Sequence, residues 1–338
     1  MRVRFAAVLA LGLAALTTAA QAAERRLDRT FAVAAGGRLT VAADGADITV
    51  RSTDSDQVVV HALIRGSERK IERIRLEAEQ HGNDVLVTAK QSSGWGSWFS
   101  FGSWQDSEID VLVPRSYHVD VSTSGGDLLL ERIQGDVSGK TSGGDIRVVE
   151  IRGPVRMNTS GGDIRVERVA GNASLRTSGG DIDADDVGGG LDAKTSGGHV
   201  HVRKVNGPVM ARSSGGSIIA TDVRGDAELG TSGSDIRAVV DGKIVAHTSG
   251  GSINAELIGP NRGITASSSG GDIVLRMSKD VSAALNASTG GGSVRSELPV
   301  TTTEFSSRKL VGTLNGGGEQ IQARTSGGSI RLQSRDSK

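Results

Sequence analysis

From residue 123 onward the apolar positions keep a fixed beat. Five residues past a Thr or Ser come Leu128, Ile146, Ile164, Ile182, Val200, Ile218 and Ile236, and two further on come Leu130, Val148, Val166, Ala184, Val202, Ala220 and Ala238. That alternation predicts a short half-buried strand. A second one opens two residues past a lone glycine, at Val137, Val155, Ala173, Leu191, Val209 and Ala227. Between the strands lies a corner. TSGGDL starts at Thr123, TSGGDI at Thr141, Thr159 and Thr177, TSGGHV at Thr195, SSGGSI at Ser213 and TSGSDI at Thr231. Each start follows the one before by 18 residues. Further copies start at Thr248, Ser268, Thr289 and Thr325. The last interval, 36 residues, predicts a degenerate copy in between.

A helical reading fails, because glycine costs roughly 1 kcal/mol per helix position and two or three fall in every unit. A unit this short cannot bury its own apolar face. Stacked in register, each buries Ile on Ile and Val on Val of its neighbours, with coils ~4.8 Å apart as in any sheet. The predicted fold is all-β: a β-solenoid, parallel β-helix or β-roll-like, with 18-residue coils over 123–333 and a polar tail over 334–338. Glycine is expected to supply positive-φ corners.

Residues 23–122 lack the beat but keep strand-like runs, such as Leu39–Val41, Asp47–Val50, Val58–Ile64, Val85–Ala89 and Ile109–Val113. These predict an irregular N-terminal β cap over an otherwise open strand edge. The polar residues Gln333–Lys338 are expected to blunt the opposite end.

Composition follows from this geometry. Glycine is 48 of 338 residues, aromatics are 3%, and a thin two-strand coil has room for Ile, Val, Leu and Ala but not for rings. The absence of cysteine excludes a disulfide scaffold and a Cys-ligated zinc or iron–sulfur site. With 39 Lys+Arg against 39 Asp+Glu there is no basic excess for nucleic acid. At the start, Arg2 and Arg4 precede the apolar run Phe5–Leu16, and Ala20-Gln21-Ala22 fits a small-x-small cleavage rule. Residues 1–22 are therefore expected to be a signal peptide, and the mature protein periplasmic or extracellular, with the periplasm favoured. No lipid anchor or second long apolar segment is expected.

The TSGGDI ladder resembles the bacterial putative-adhesin domains of unknown function built from β-strand repeats. So do Arg29-Thr30-Phe31 through Gly37, Val113-Pro114-Arg115, and Leu310 through Gly318 with its three closing glycines. The resemblance spans about residues 28–333. It implies an envelope-associated β-solenoid and defines no catalytic residues.

Three constellations carry candidate chemistry. The corner aspartates Asp127, Asp145, Asp163 and Asp181 stack at coil spacing and repel unless compensated. They suit turn-capping paired with Arg147 and Arg165 better than calcium, whose repeat loops need an acidic corner in both halves of the coil. His199 and His201 sit one period above Asp181 and Asp183, so in register two imidazoles and two carboxylates meet. They can hold a borderline metal or form hydrogen-bonded pairs. Residues 95–104 gather Trp95, Trp98, Phe99, Phe101 and Trp104, which include every tryptophan of the chain. Interleaved with Gly and Ser, these rings suit stacking on sugars, a membrane interface or a partner anchor, or else a lid over the first coil. Lys140, Arg176, Lys194 and Arg212 form a column beside the Thr.

No cofactor is expected, and none of the common nucleophile, phosphate-loop or zinc-hydrolase motifs occurs. The leading reading is a non-catalytic exported module of the cell envelope. A membrane-proximal partner or sensor docking through the aromatic segment is the alternative, and a carbohydrate-active β-helix enzyme is the third. Partner classes are an envelope glycan, a lipid surface or an envelope protein. Six successive 18-residue intervals leave no room for the long loops that line a β-helix enzyme's cleft.

Overall fold

The structure, a computed structural model, describes residues 23–91 and 107–335. Two sheets of 15 and 16 strands face each other, and each regular coil contributes one strand to each. Ile146–Ile151, for example, runs in one sheet, turns at Gly153, and returns as Val155–Asn158 in the other. Coils pair in parallel at the 18-residue offset: Ile146 opposite Ile164, Ile164 opposite Ile182, Ile182 opposite Val200. The β-solenoid expectation holds. Apart from one helical turn at Glu68–Ile71, the described elements are strands.

Inward positions form a core of Ile, Val, Leu and Ala. The repeat adds an inward column beyond the two alternations, ten past the Thr: Ile133, Ile151, Val169, Val187, Val205 and Val223. Strict alternation would turn these outward. The residue before each, Arg132, Glu150, Arg168, Asp186, Lys204 or Asp222, has a φ between 54° and 60°. This left-handed step resets the side-chain phase and starts the corner.

That corrects the expected role of glycine. Among the described residues the positive-φ glycines are Gly36, Gly45, Gly82, Gly263, Gly316, Gly317 and Gly318, and none belongs to a Ser-Gly-Gly corner. The second corner glycine is needed because neighbouring coils touch there. A Cβ on Gly162 would lie 2.1 Å from the carbonyl oxygen of Gly144.

Both ends depart from sequential stacking. The first coil of the chain is not the outermost. Arg38–Ala43 lies between Asp84–Gln91 and His118–Ser122, parallel to both, and Asp47–Thr53 lies between Glu108–Pro114 and Leu128–Glu131. Antiparallel strands close this end: Ala23–Ala32 on Gln57–Gly66, that strand on Glu108–Pro114, and Ile74–His81 on Asp84–Gln91.

The other end repeats the device. Gln320–Thr325 enters between Ile264–Ser268 and Ala283–Thr289, and Ile330–Ser334 between Ile273–Met277 and Val294–Ser296. No degenerate coil fills the 36-residue interval. It holds the antiparallel pair Val300–Ser306 and Lys309–Leu314, which folds onto Ala283–Thr289 and caps the sheet. Gln333 therefore lies inside the stack, and the hairpin covers the edge of the 16-stranded sheet at this end.

Among the described residues one ring enters the fully buried core. Tyr117 lies at the N-terminal corner, and its hydroxyl donates to the carbonyl of Asn83. Burial pushes its phenol up to about 12, and the charge of Asp84 adds to the shift. Because the folded value is raised, Tyr117 supports the fold below the ordinary phenol value near 10. That support fades as pH rises from about 10 toward 12. Tyr117 is the one tyrosine of the chain, so phenolate absorbance reports it alone. We expect an absorbance midpoint near 12 in native protein and near 10 in urea; a native midpoint near 10 would contradict its burial.

Candidate functional site

The TSGGD corner is where the sequence is most constrained, and two hydrogen-bond ladders explain it. The hydroxyls of the recurring Thr are buried. Thr141 donates to the carbonyl of Gly126, Thr159 to Gly144 and Thr177 to Gly162, at 2.9 to 3.0 Å. The same oxygen accepts the amide of the glycine three residues on, at 3.4 Å for Gly162 to Thr159. One hydroxyl thus closes its own corner and ties it to the coil below. Ser213 and Ser268 do the same. Thr159→Val should cost about 1–2 kcal/mol, since it leaves a buried carbonyl and a part-buried amide unpaired. Thr159→Ser keeps both bonds and loses one buried methyl, so it should cost less, about 0.8 kcal/mol at most. Urea denaturation of the two variants checks this.

The second ladder runs through the corner aspartates. Asp47 Oδ1 accepts the amide of Asp127, Asp127 that of Asp145, Asp145 that of Asp163 and Asp163 that of Asp181, each at 2.8 Å. Each carboxylate is compensated by a backbone donor of the next coil. The expected neutralisation by Arg two residues on takes another form. Arg147 pairs with Glu167 at 3.0 Å and Arg165 with Asp183 at 3.0 Å, so the guanidinium groups reach across coils to other acids. The ladder also traces the reordered C-terminal end, from Ser252 to Asp272 to Ser329 to Ser293.

His199 continues this ladder. Its amide donates to Asp181 Oδ1 at 2.7 Å, and its Nδ1 accepts the amide of Ser217 at 3.0 Å. Accepting at Nδ1 requires the Nε2–H tautomer in the neutral ring. His201 stands opposite Asp183 as the period required, with Nδ1 3.2 Å from Oδ1. The two imidazoles stack at a centroid distance of 6.1 Å. The four candidate metal residues are therefore in register: Asp181, His199 and Asp183 have hydrogen-bond partners, and His201 lies against the Asp183 carboxylate. Among the described residues, no group of three or more His, Asp or Glu side chains is arranged to hold a metal ion.

The outward faces are columns of side chains at coil spacing. On the Ile146–Ile151 side they are laced by ion pairs. The left-handed residues alternate in sign along the stack, Arg132, Glu150, Arg168, Asp186, Lys204, Asp222, and Arg168 meets Glu150 at 3.1 Å and Lys204 meets Asp186 at 2.9 Å. A guanidinium hydrogen bond from Arg203 holds the Asp185 carboxyl below its usual range, against opposing burial. Sequence reasoning overlooked this alternation, although nine residues past each Thr the signs stand in plain order.

Lys140, Arg176, Lys194 and Arg212 line the other sheet as an exposed column. Arg176 reaches Asp192 at 2.6 Å and Arg212 reaches Glu228. The aromatic candidates Trp95, Trp98, Phe99, Phe101 and Trp104 lie outside the described residues. Their segment connects Asp84–Gln91 to Glu108–Pro114, the place in the outermost parallel coil where later coils carry TSGGD.

The Toastrack DUF4097 family model matches residues 37–234 and again 212–333. The chain belongs to the Toastrack DUF4097 family. The two matches overlap and together cover both the irregular end and the repeats. No curated protein matches the chain. Among solved structures, a putative adhesin from Bacteroides fragilis is similar at 13% identity. The match covers 91% of this chain and 97% of that one, with a TM-score of 0.36. A putative lipid binding protein from Parabacteroides distasonis is 12% identical over 91% and 96% of the two chains, with a TM-score of 0.27. At these TM-scores the likenesses carry no argument about architecture or ligand. No helix among the described residues is long and apolar enough to cross a membrane.

Proposed function

We propose that this Toastrack chain is a non-catalytic binding module, exported to the bacterial envelope by residues 1–22. One observation carries the reading. Between residues 123 and 277 the coils follow one another with short corners and no inserted loops, so both outer faces present the same columns many times over. Repetition at fixed spacing suits weak contacts multiplied along an extended partner. A catalytic cleft needs a few side chains converging on one place. The Thr hydroxyls and Asp carboxylates of the corners are engaged in ladders that hold coils together.

The concentration of rings in residues 95–104 supports a second reading, docking to a lipid surface or an envelope protein through that segment. Deleting 95–104 separates the two. A scaffold or face-binding module keeps its place on cell fractionation, whereas a protein docked by its rings moves to the soluble fraction. Turnover of envelope polysaccharides by the purified protein, seen as new reducing ends or unsaturated products, would overturn the non-catalytic reading.

A further inference from the structure

The cation column forms a line of one sign. From Lys140 it passes in cross-strand register through Asn158 to Arg176, Lys194 and Arg212. It continues through Gly230, His247 and Ser267 to Arg324. Nine coils contribute and none supplies an acid. At ~4.8 Å per coil the line is about 38 Å long. Lys140, Lys194 and Arg324 are exposed and make no ion pair or side-chain hydrogen bond among the described residues.

Beside this line runs the Ser of each corner. Ser142, Ser160, Ser178, Ser196 and Ser214 are all exposed. Their backbone groups serve the corners, as Ser142 does for Gly161. Their hydroxyls make no hydrogen bond among the described residues. Cations and free hydroxyls thus advance together, one of each per coil over Arg176, Lys194 and Arg212.

Acids flank the line on both sides. Asp192 and Glu228 stand in the column two residues before it, and Asp145, Asp163 and Asp181 stand across the corner. A flat anionic surface would press on these carboxylates as well as on the cations. A narrow chain lying along the line meets the cations alone.

We propose that the Lys140–Arg324 column and the serine row bind a linear anionic polysaccharide laid parallel to the solenoid axis, its acid groups on the cations and its hydroxyls on the serines. This rests on the non-catalytic binding reading and names the ligand class and the face.

Alginate, a linear polysaccharide with one carboxylate per sugar, is the probe, with uncharged dextran of matched length as control. Calorimetry on the mature protein should show alginate binding that weakens with salt and no dextran binding. The triple variant Lys140→Gln, Lys194→Gln, Arg324→Gln breaks no ion pair among the described residues. It should bind alginate about tenfold more weakly with unchanged melting. A matched variant of Arg73, Arg237 and Arg295, which are exposed elsewhere, should bind as the parent does. Absence of alginate binding, equal losses in the two triples, or binding to phosphatidylglycerol vesicles in preference to alginate would each overturn the proposal. Alginate breakdown would instead overturn the non-catalytic reading and leave the mapped face standing.

Discussion

Gly162→Ala should lower stability by about 2–3 kcal/mol, while Gly161→Ala, one residue earlier, should stay within about 1 kcal/mol. Neither glycine has a positive φ, so backbone conformation does not separate them. Space does. A Cβ on Gly162 meets the Gly144 carbonyl oxygen at 2.1 Å, its carbon at 2.5 Å and Asp145 Oδ1 at 2.7 Å. A Cβ on Gly161 finds its nearest atom at 3.4 Å, an ordinary contact. Relief at Gly162 requires two coils to part, and parting them strains the Thr159 and Asp163 bonds at the same corner. Overpacking of this kind typically costs 1–3 kcal/mol.

The chain contains a natural trial of the change. Ser234 holds the position of Gly162 in its own coil. The amide-to-hydroxyl bond that closes the corner at Gly216 and at Gly251 is not formed there, while Thr231 still donates to the carbonyl of Gly216 at 2.8 Å. The side chain at this place goes with the loss of the corner's own closing bond, in a coil of 17 residues at the end of the regular run. Gly162 lies between regular 18-residue coils, and its corner keeps that bond. Urea midpoints for the two variants settle the matter, and equal effects would contradict the close-contact account.

The repeat was legible because its period is a direct image of the coil. Ile146, Ile164 and Ile182 are equivalent in sequence and become neighbours in space, so counting residues predicts contacts. The Asp181–His199 and Asp183–His201 juxtapositions follow from the same count. Glycine's role was misread because composition shows where a Cβ is missing and not why. Sterics between residues 18 apart had excluded it, while the left-handed turn went to Arg132, Glu150 and their equivalents. The interval of 36 misled for a different reason. Equal spacing implies sequential stacking only if the chain never doubles back. The segment between Thr289 and Thr325 does so, through strands whose Thr-rich pattern, Val300–Ser306, carries no coil signal. The aromatic segment has no repeat to calibrate it, and its role rests on composition.

The amides of Gln320–Thr325 and Ile330–Ser334 should exchange with solvent more slowly than those of Val300–Ser306, although they are the last strands of the chain. Chain ends ordinarily fray first. Here the last coil has a neighbour on each side, and Ile321, Ala323, Ile330 and Leu332 are all within 1% of full burial. Val300–Ser306 pairs on one side only, and Phe305 on it is 70% exposed. For the last coil to open, the coil Ala283–Ser296 and its hairpin must first lift away. Opening therefore begins at residues 283–314 and only then reaches 320–334. The same order makes truncation severe. Ending the chain at Gly316 removes the parallel partner of Ala283–Thr289 together with four buried apolar side chains. Burial of each of the three larger ones is worth roughly 1.5–3 kcal/mol. The truncated protein should lose protection throughout 264–314 and be cut there by protease at concentrations that leave the parent intact. If Ala283–Thr289 instead dropped into the vacant layer against Ile264–Ser268, protection of 264–289 would survive. The last coil would then be an ordinary terminal repeat rather than the wedge that secures this end.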